Sequence, residues 1–309
     1  MWEILLDKHV LSLALIVSTP CLLAAQGELL IERSGVLNVA IEGMMALGAV
    51  VGFLLAYYTG VNIIGILAAM VATGVVGVIL GYAVISLRAS QLTTGLSLYV
   101  FLLGLSSLLY RLVVGLRFVP PKIATYTGGW TEGGAAFPGS WIFNLPRPVY
   151  AAFLITVLVH LFLFYTPMGL RLRACGENPR AAEGQGVNVF VMRYLSLLAG
   201  SMLIGAGGAL LPMMLTGTYT DMMVGGRGWI ALMLVIFGRW LPFRTLLGGL
   251  LFGYVEGLQY SLLLSVKTIP SQFLLMVPYL FVVIVAILAY RGAQAPQSLM
   301  KPYDREART

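Results

Sequence analysis

The stretch Arg171-Leu-Arg-Ala-Cys-Gly-Glu-Asn-Pro-Arg-Ala-Ala-Glu-Gly-Gln-Gly-Val187 lies between two long apolar segments and is the most charged internal run of the chain. Asn178 followed by Pro179 reads as the start of a helix. An Asn side chain accepts an orphan backbone amide, and proline at the first helical position has no amide to leave unsatisfied. Arg180, Ala181, Ala182 and Glu183 continue the helix, and Gly184 and Gly186 end it, because glycine enters left-handed conformations cheaply. The result is a helix of roughly two turns, too short to hold itself in water. It must lie against its own bundle or against a partner.

Outward from this run the chain is apolar. Hydrophobic residues make up 59% and charged residues 10%, against about 25% charged in a soluble domain; mean hydropathy is +0.92. Several apolar runs exceed the roughly 20 residues that cross hydrocarbon as a helix, and none shows the roughly ten-residue alternation of a barrel strand. The fold class is therefore all-α, a polytopic transmembrane helical bundle. The net charge of +7 is read first as an orientation signal, not as nucleic-acid binding. Cys21 and Cys175 fall toward the reducing side, and no disulfide is expected. The first apolar segment lacks a convincing cleavage pattern and is read as a retained span.

In order, the spans are expected at residues 11–25, kinked near Pro20, then 36–58, 61–87, 92–116, 149–165, 190–215, 229–240, 245–264 and 273–290. Residues 26–35, with Glu28, Glu32 and Arg33, read as a charged link. Residues 1–290 form a single transmembrane domain, with an external loop at 117–148, rich in Gly and Pro and carrying Trp130 and Trp141, and a cytoplasmic loop at 166–190. A polar tail, 291–309, reads as disordered. Arg171, Arg173, Arg180 and Arg193 place the 166–190 loop in the cytoplasm, as Arg291, Lys301, Arg305 and Arg308 do the C-terminus. An even number of crossings must separate the two, so residues 229–240 cross as well, with Arg239 and Arg244 inside. That gives about nine spans, within a range of eight to ten, and an external N-terminus; one further short crossing near the second span makes ten and turns the N-terminus inward.

Gly48 and Gly52, Gly77 and Gly81, and Gly249, Gly253 and Gly257 recur every four residues on one helix face and suit close helix packing. Acidic groups inside the bilayer cost about 2.5–3.5 kcal/mol each on insertion scales, which singles out Glu42 and Glu256; each either pairs with an arginine or lines a polar path. His160, alone in an apolar span, reads as a core residue. No set of residues has metal-ligand spacing.

Two stretches read as broken helices: Glu32-Arg-Ser-Gly-Val-Leu-Asn-Val-Ala-Ile-Glu-Gly-Met-Met45 and Gly225-Gly-Arg-Gly-Trp-Ile-Ala-Leu-Met-Leu-Val-Ile-Phe-Gly-Arg-Trp240. Interrupted segments in the two halves of a chain point to a central binding site, and Asn38, Glu42, Arg227 and Glu256 are its candidates. There is no P-loop: Lys8, Lys122, Lys267 and Lys301 follow no glycine-rich phosphate loop. No catalytic constellation is present either.

The run Gly176-Glu177-Asn178-Pro179-Arg180-Ala181-Ala182-Glu183 resembles the cytoplasmic coupling loop of ABC-importer permeases of the branched-chain amino acid, ribose and nucleoside family, closest to the nucleoside and simple-sugar branch. The two broken stretches resemble signature stretches of the same branch. Gly184-Gln185-Gly186 departs from the more alanine-rich pattern and loosens the end of the coupling helix without removing it. The resemblance implies a non-catalytic subunit of a prokaryotic plasma membrane that binds no cofactor itself. ATP and Mg would sit on a separate cytoplasmic ATPase in contact with residues 176–183, with Arg180 and Glu183 as polar contacts. It further implies a second permease chain, identical or related, and an extracytoplasmic binding protein that delivers a nucleoside or, as the alternative, a simple sugar such as ribose. An ion-gradient-driven transporter is the rival from another class. It would need Glu42 or Glu256 to titrate and would not need the capped loop.

Overall fold

The computed structural model describes residues 8–115, 120–126, 144–265, 270–289 and 294–304. Among them it is all helix and turn. Seven helices are long and apolar enough to cross a membrane, and two shorter apolar ones accompany them. Of the expected external loop, residues 116–119 and 127–143, with Trp130 and Trp141, lie outside the described residues.

Helix α1 (Lys8–Arg33) is the mast of the bundle. It is buried on every face from Val17 to Glu32 and packs against six other helices. This corrects the sequence expectation at its second half. Residues 26–33 are not a charged link but the continuation of the span through Pro20, and Gln26, Glu28 and Glu32 are fully buried. The first break follows at 34–40, so α2 (Ile41–Thr59) begins five residues later than expected. Its C-terminus closes on Gly60 at φ 70°, whose N–H returns to the Ala56 carbonyl, the left-handed stop that favours glycine. Next come α3 (Asn62–Gly81), prolonged by a π-helical turn (Tyr82–Ser86), and α4 (Gln91–Val114). Then α5 (Arg147–Tyr165) leads to two short helices, α6 (Pro167–Glu177) and α7 (Pro179–Gly184). Helix α8 (Val189–Leu211) ends in a second π-helical turn (Pro212–Thr216), and α9 (Arg227–Phe237), α10 (Pro242–Ser265) and α11 (Ser271–Ala289) complete the bundle.

The contacts fix the directions. Gly27 meets Gly200 and Gly207 meets Pro20, so α1 and α8 run antiparallel; Gly77 at Ser201 and Gly205 at Thr73 set α3 antiparallel to α8 in the same way. Gly253 meets Ala14 and Ser18, while Gly249 meets Leu22, which sets α10 antiparallel to α1. Residue 8 therefore stands at the end of the bundle opposite α6 and α7. Helix α9 is only 11 residues long. Residues 217–226 complete its crossing without helix, from the level of Phe53 and Tyr110, against which Tyr219 packs, to that of Glu42. Among the described residues the bundle thus holds seven span-length helices, the shorter apolar helix α9 and the C-terminal apolar helix α11, with breaks at 34–40 and 217–226.

All seven glycines singled out from the sequence stand against a neighbouring element: Gly48 against Gly205, Gly52 against Ala209, Gly77 against Ser201, Gly81 against Tyr194, Gly249 against Leu22, and Gly253 and Gly257 against Ala14. A Cβ on Gly48 would stand 2.9 Å from the Gly205 Cα. The reciprocal glycines of α8, at 200, 205, 207 and 208, have no four-residue repeat and were not read from the sequence.

Candidate functional site: the coupling end and the polar centre

Three side-chain caps in succession build the end of the bundle that carries residues 176–183. Thr166 accepts from the Gly169 amide at 3.0 Å, Asn178 from Ala181 at 3.1 Å and Asn188 from Val191 at 3.1 Å, starting α6, α7 and α8. Pro167 and Pro179 occupy the first helical positions of α6 and α7. Only the second cap is expected from the sequence; Thr166-Pro167 carries the same signature and opens an 11-residue helix in place of the expected loop. Helix α7 stops as the sequence implies. Gly186 takes φ +82°, the Val187 amide bonds to the Ala182 carbonyl and the Gly186 amide to Glu183, a Schellman closure. Ala182 is its buried residue, packed with Cys175, Val189 and Tyr303. Arg180 lies exposed, whereas Glu183 accepts the hydroxyl of Tyr303. Burial pushes the Cys175 thiol up to about 11, so it is un-ionised at physiological pH; both cysteines are free and buried.

Two corrections come from the same region. The tail is not disordered over residues 294–304: Ser298 and Tyr303 are buried against α6 and α7. Arg193, counted as a loop charge, is buried at 2% exposure. It donates to the carbonyls of Ser34 at 3.3 Å and Lys301 at 3.5 Å, placing its charge at the negative end of α1.

The polar centre forms where the two broken segments meet. Helix α9 starts at Gly226, φ 84°, with no side chain of its own to cap it. The Glu42 carboxylate takes that place from α2, accepting the amides of Gly226 at 2.8 Å and Gly228 at 2.7 Å. A carboxylate at a helix N-terminus is favoured by both the orphan amides and the helix dipole. Gly228 leaves the room this needs, since a Cβ there would lie 2.5 Å from the Glu42 Cα. Arg227 pairs with Glu256 of α10, and Tyr279 of α11 donates to the Gly225 carbonyl at 2.8 Å. Glu42, Arg227 and Glu256 are thus brought together.

Asn38 is not among them. It forms the turn of the first break, its side-chain oxygen accepting from the Ala40 amide at 3.1 Å and its backbone N–H donating to Glu28 at 3.0 Å. Glu28 and Glu32, missed as pathway or packing residues, hold the breaks in place: Glu32 accepts the indole N–H of Trp240, whose carbonyl accepts from Arg33 at 2.8 Å. Among the described residues no group of three or more His, Cys, Asp or Glu is placed to hold a metal.

A helical bundle with seven span-length helices and two interrupted segments meeting at a polar centre is consistent with a polytopic permease. The chain belongs to the family described as branched-chain amino acid transport system / permease component, whose model matches residues 10–288, and it is a multi-pass ABC transporter permease. It is 32% identical over 310 residues, covering 95% of this chain and 96% of the relative, to the guanosine ABC transporter permease protein NupQ of Bacillus subtilis. It is 31% identical over 294 residues, 92% and 93% of the two chains, to the nucleoside ABC transporter permease protein NupC of Lactococcus lactis. It is also 31% identical over 318 residues, 94% and 95% of the two chains, to the putative glucose ABC transporter permease protein TsgC13 of Haloferax volcanii. No solved structure matches the chain.

Proposed function

We propose that this chain is the membrane-embedded subunit of an ATP-driven importer of nucleosides. A binding protein delivers the solute at the end opposite α7, and a cytoplasmic ATPase engages α7. The single observation that carries the reading is the end-to-end likeness to two permeases named for guanosine and nucleosides. The geometry supports the mechanical part. Helix α7 is capped at both ends, anchored by Ala182 and presented at the surface, a form suited to seating in a partner's groove. A second permease chain would complete the path, and ATP with Mg would be held by the ATPase. The arginines of the 166–190 loop support a cytoplasmic coupling end and C-terminus, in a prokaryotic plasma membrane. Asn38, Glu42, Arg227 and Glu256 remain the residues proposed to border the path, with Arg227 and Glu256 at its centre.

A simple sugar is the second reading, because a relative named for glucose transport is similar to the same degree. The test is to purify the tagged protein in mild detergent, identify its companions, and measure uptake by the reconstituted complex. A P-loop ATPase and ATP-dependent uptake of labelled guanosine, uncompeted by glucose, are expected. Competition by glucose or ribose alone would replace the substrate. Uptake by the lone chain, driven by a pH gradient, would overturn the ATP-driven mechanism.

A further inference from the structure

The end of the chain closes on the coupling helices. Ser298 donates its hydroxyl to the carbonyls of Cys175 at 3.0 Å and Gly176 at 2.6 Å, and its amide to Gly176 at 2.9 Å. Those carbonyls belong to the last turn of α6, where a helix has no donors of its own, so the tail caps α6 from a distance. Tyr303, 6% exposed, packs on Phe190 with ring centroids 5.7 Å apart and gives its hydroxyl to Glu183 of α7. The Lys301 carbonyl accepts from Arg193, which also holds Ser34 at the end of α1. Asp304 pairs with Arg88 at 2.8 Å, an exposed contact of little weight; the buried contacts do the holding. Between tail and helices lies a polar groove of about 310 Å³, with Glu177 to Arg180 on one wall and Gln297, Lys301, Pro302 and Asp304 on the other.

We propose that residues 297–304 are a second element of the ATPase-contact surface: a clasp that fixes α7 against α6 and forms the far wall of the groove in which the ATPase seats. The proposal rests on the reading of α7 as the coupling helix. One wall carries Glu177 and Arg180 and the other Lys301 and Asp304, the last paired with Arg88, so a partner seated in the groove meets charge of both signs. The tail thereby joins four parts that any push on α7 must move together: α6, α7, α8 and the turn at Arg88.

The test uses the complete transporter with its ATPase. Arg180 and Gln297, both exposed, are each replaced in turn by photo-reactive benzoylphenylalanine. Cross-links to the ATPase from both positions are the expected result. A cross-link from Arg180 alone overturns the clasp and leaves the coupling helix standing; none from either overturns both. Tyr303→Phe keeps the ring in its buried place and removes only the donor to Glu183. A hydrogen bond to a charged group is strong enough that its loss lowers the ratio of held to released clasp by about tenfold or more. Solute moved per ATP should therefore fall by up to about tenfold, with the amount of assembled complex and its melting temperature unchanged. An unchanged ratio would overturn the clasp as a positioning device.

Discussion

The coupling end and the polar centre are built by opposite rules. Helix α7 is specified by neighbours in sequence: its cap, Asn178, stands three residues from the amide it holds. Helix α9 is specified from far away, with Glu42 capping it across 184 residues and Glu256 holding its first residue across 29. A local cap costs little when lost, because only its own short helix frays. A distant cap inside an apolar bundle carries two elements at once, and its removal strands charge or amides where water cannot reach.

That contrast can be broken at the centre first. Arg227→Ala leaves Glu256 buried without its partner and should cost about 3–5 kcal/mol, read as a large fall in melting temperature or in folded yield. Replacing both partners, with Arg227→Met and Glu256→Leu together, should recover most of that stability. If the double variant folds and no longer transports, the pair borders the path; full transport would confine it to packing. Glu42→Gln keeps the shape but gives up a charged acceptor and should cost about 1.5–3 kcal/mol, with faster amide exchange at the start of α9. An unchanged exchange rate there would refute capping by Glu42. At the coupling end, Asn178→Ala should cost about 1 kcal/mol, visible as faster exchange in Pro179–Gly184 while the bundle melts where it did. The smallest effect runs the other way. Gly184 has open space around it, so Gly184→Ala should steady α7 by about 0.5–1 kcal/mol, seen as slower exchange; slower transport in the same variant would mean that the loosened end is used.

The same contrast explains what the sequence discloses. The α7 cap, its glycine stop, the apolar spans and the two breaks depend on spacings within a few residues, and they could be read directly. Arginine placement, through the parity of crossings, asks residues 229–240 to cross; the structure puts a short helix there, Arg227–Phe237, preceded by the non-helical segment 217–226. Glu28 and Glu32 misled the reading because charge within an apolar run signals a link unless the partners are known, and those partners, Asn38 and Trp240, lie 10 and 208 residues away. Residues 294–304 differ from the expected disorder for a like reason: a polar composition says nothing of Ser298 meeting the open carbonyls of α6. Nor could composition tell that the arginine at 193 is buried, since its partners are backbone carbonyls, which every sequence has.

The trans-cap at Glu42 also has a consequence in time. Its carboxylate enters the bundle with α2, but the amides it will hold are made 184 residues later. At a synthesis rate of about 5–20 residues per second, that interval is on the order of ten to forty seconds. During it, α2 carries an acid that water or another chain must serve, and α9, as it emerges, finds its start already waiting. The order of synthesis thus makes the first half of the chain the template on which the second half is started.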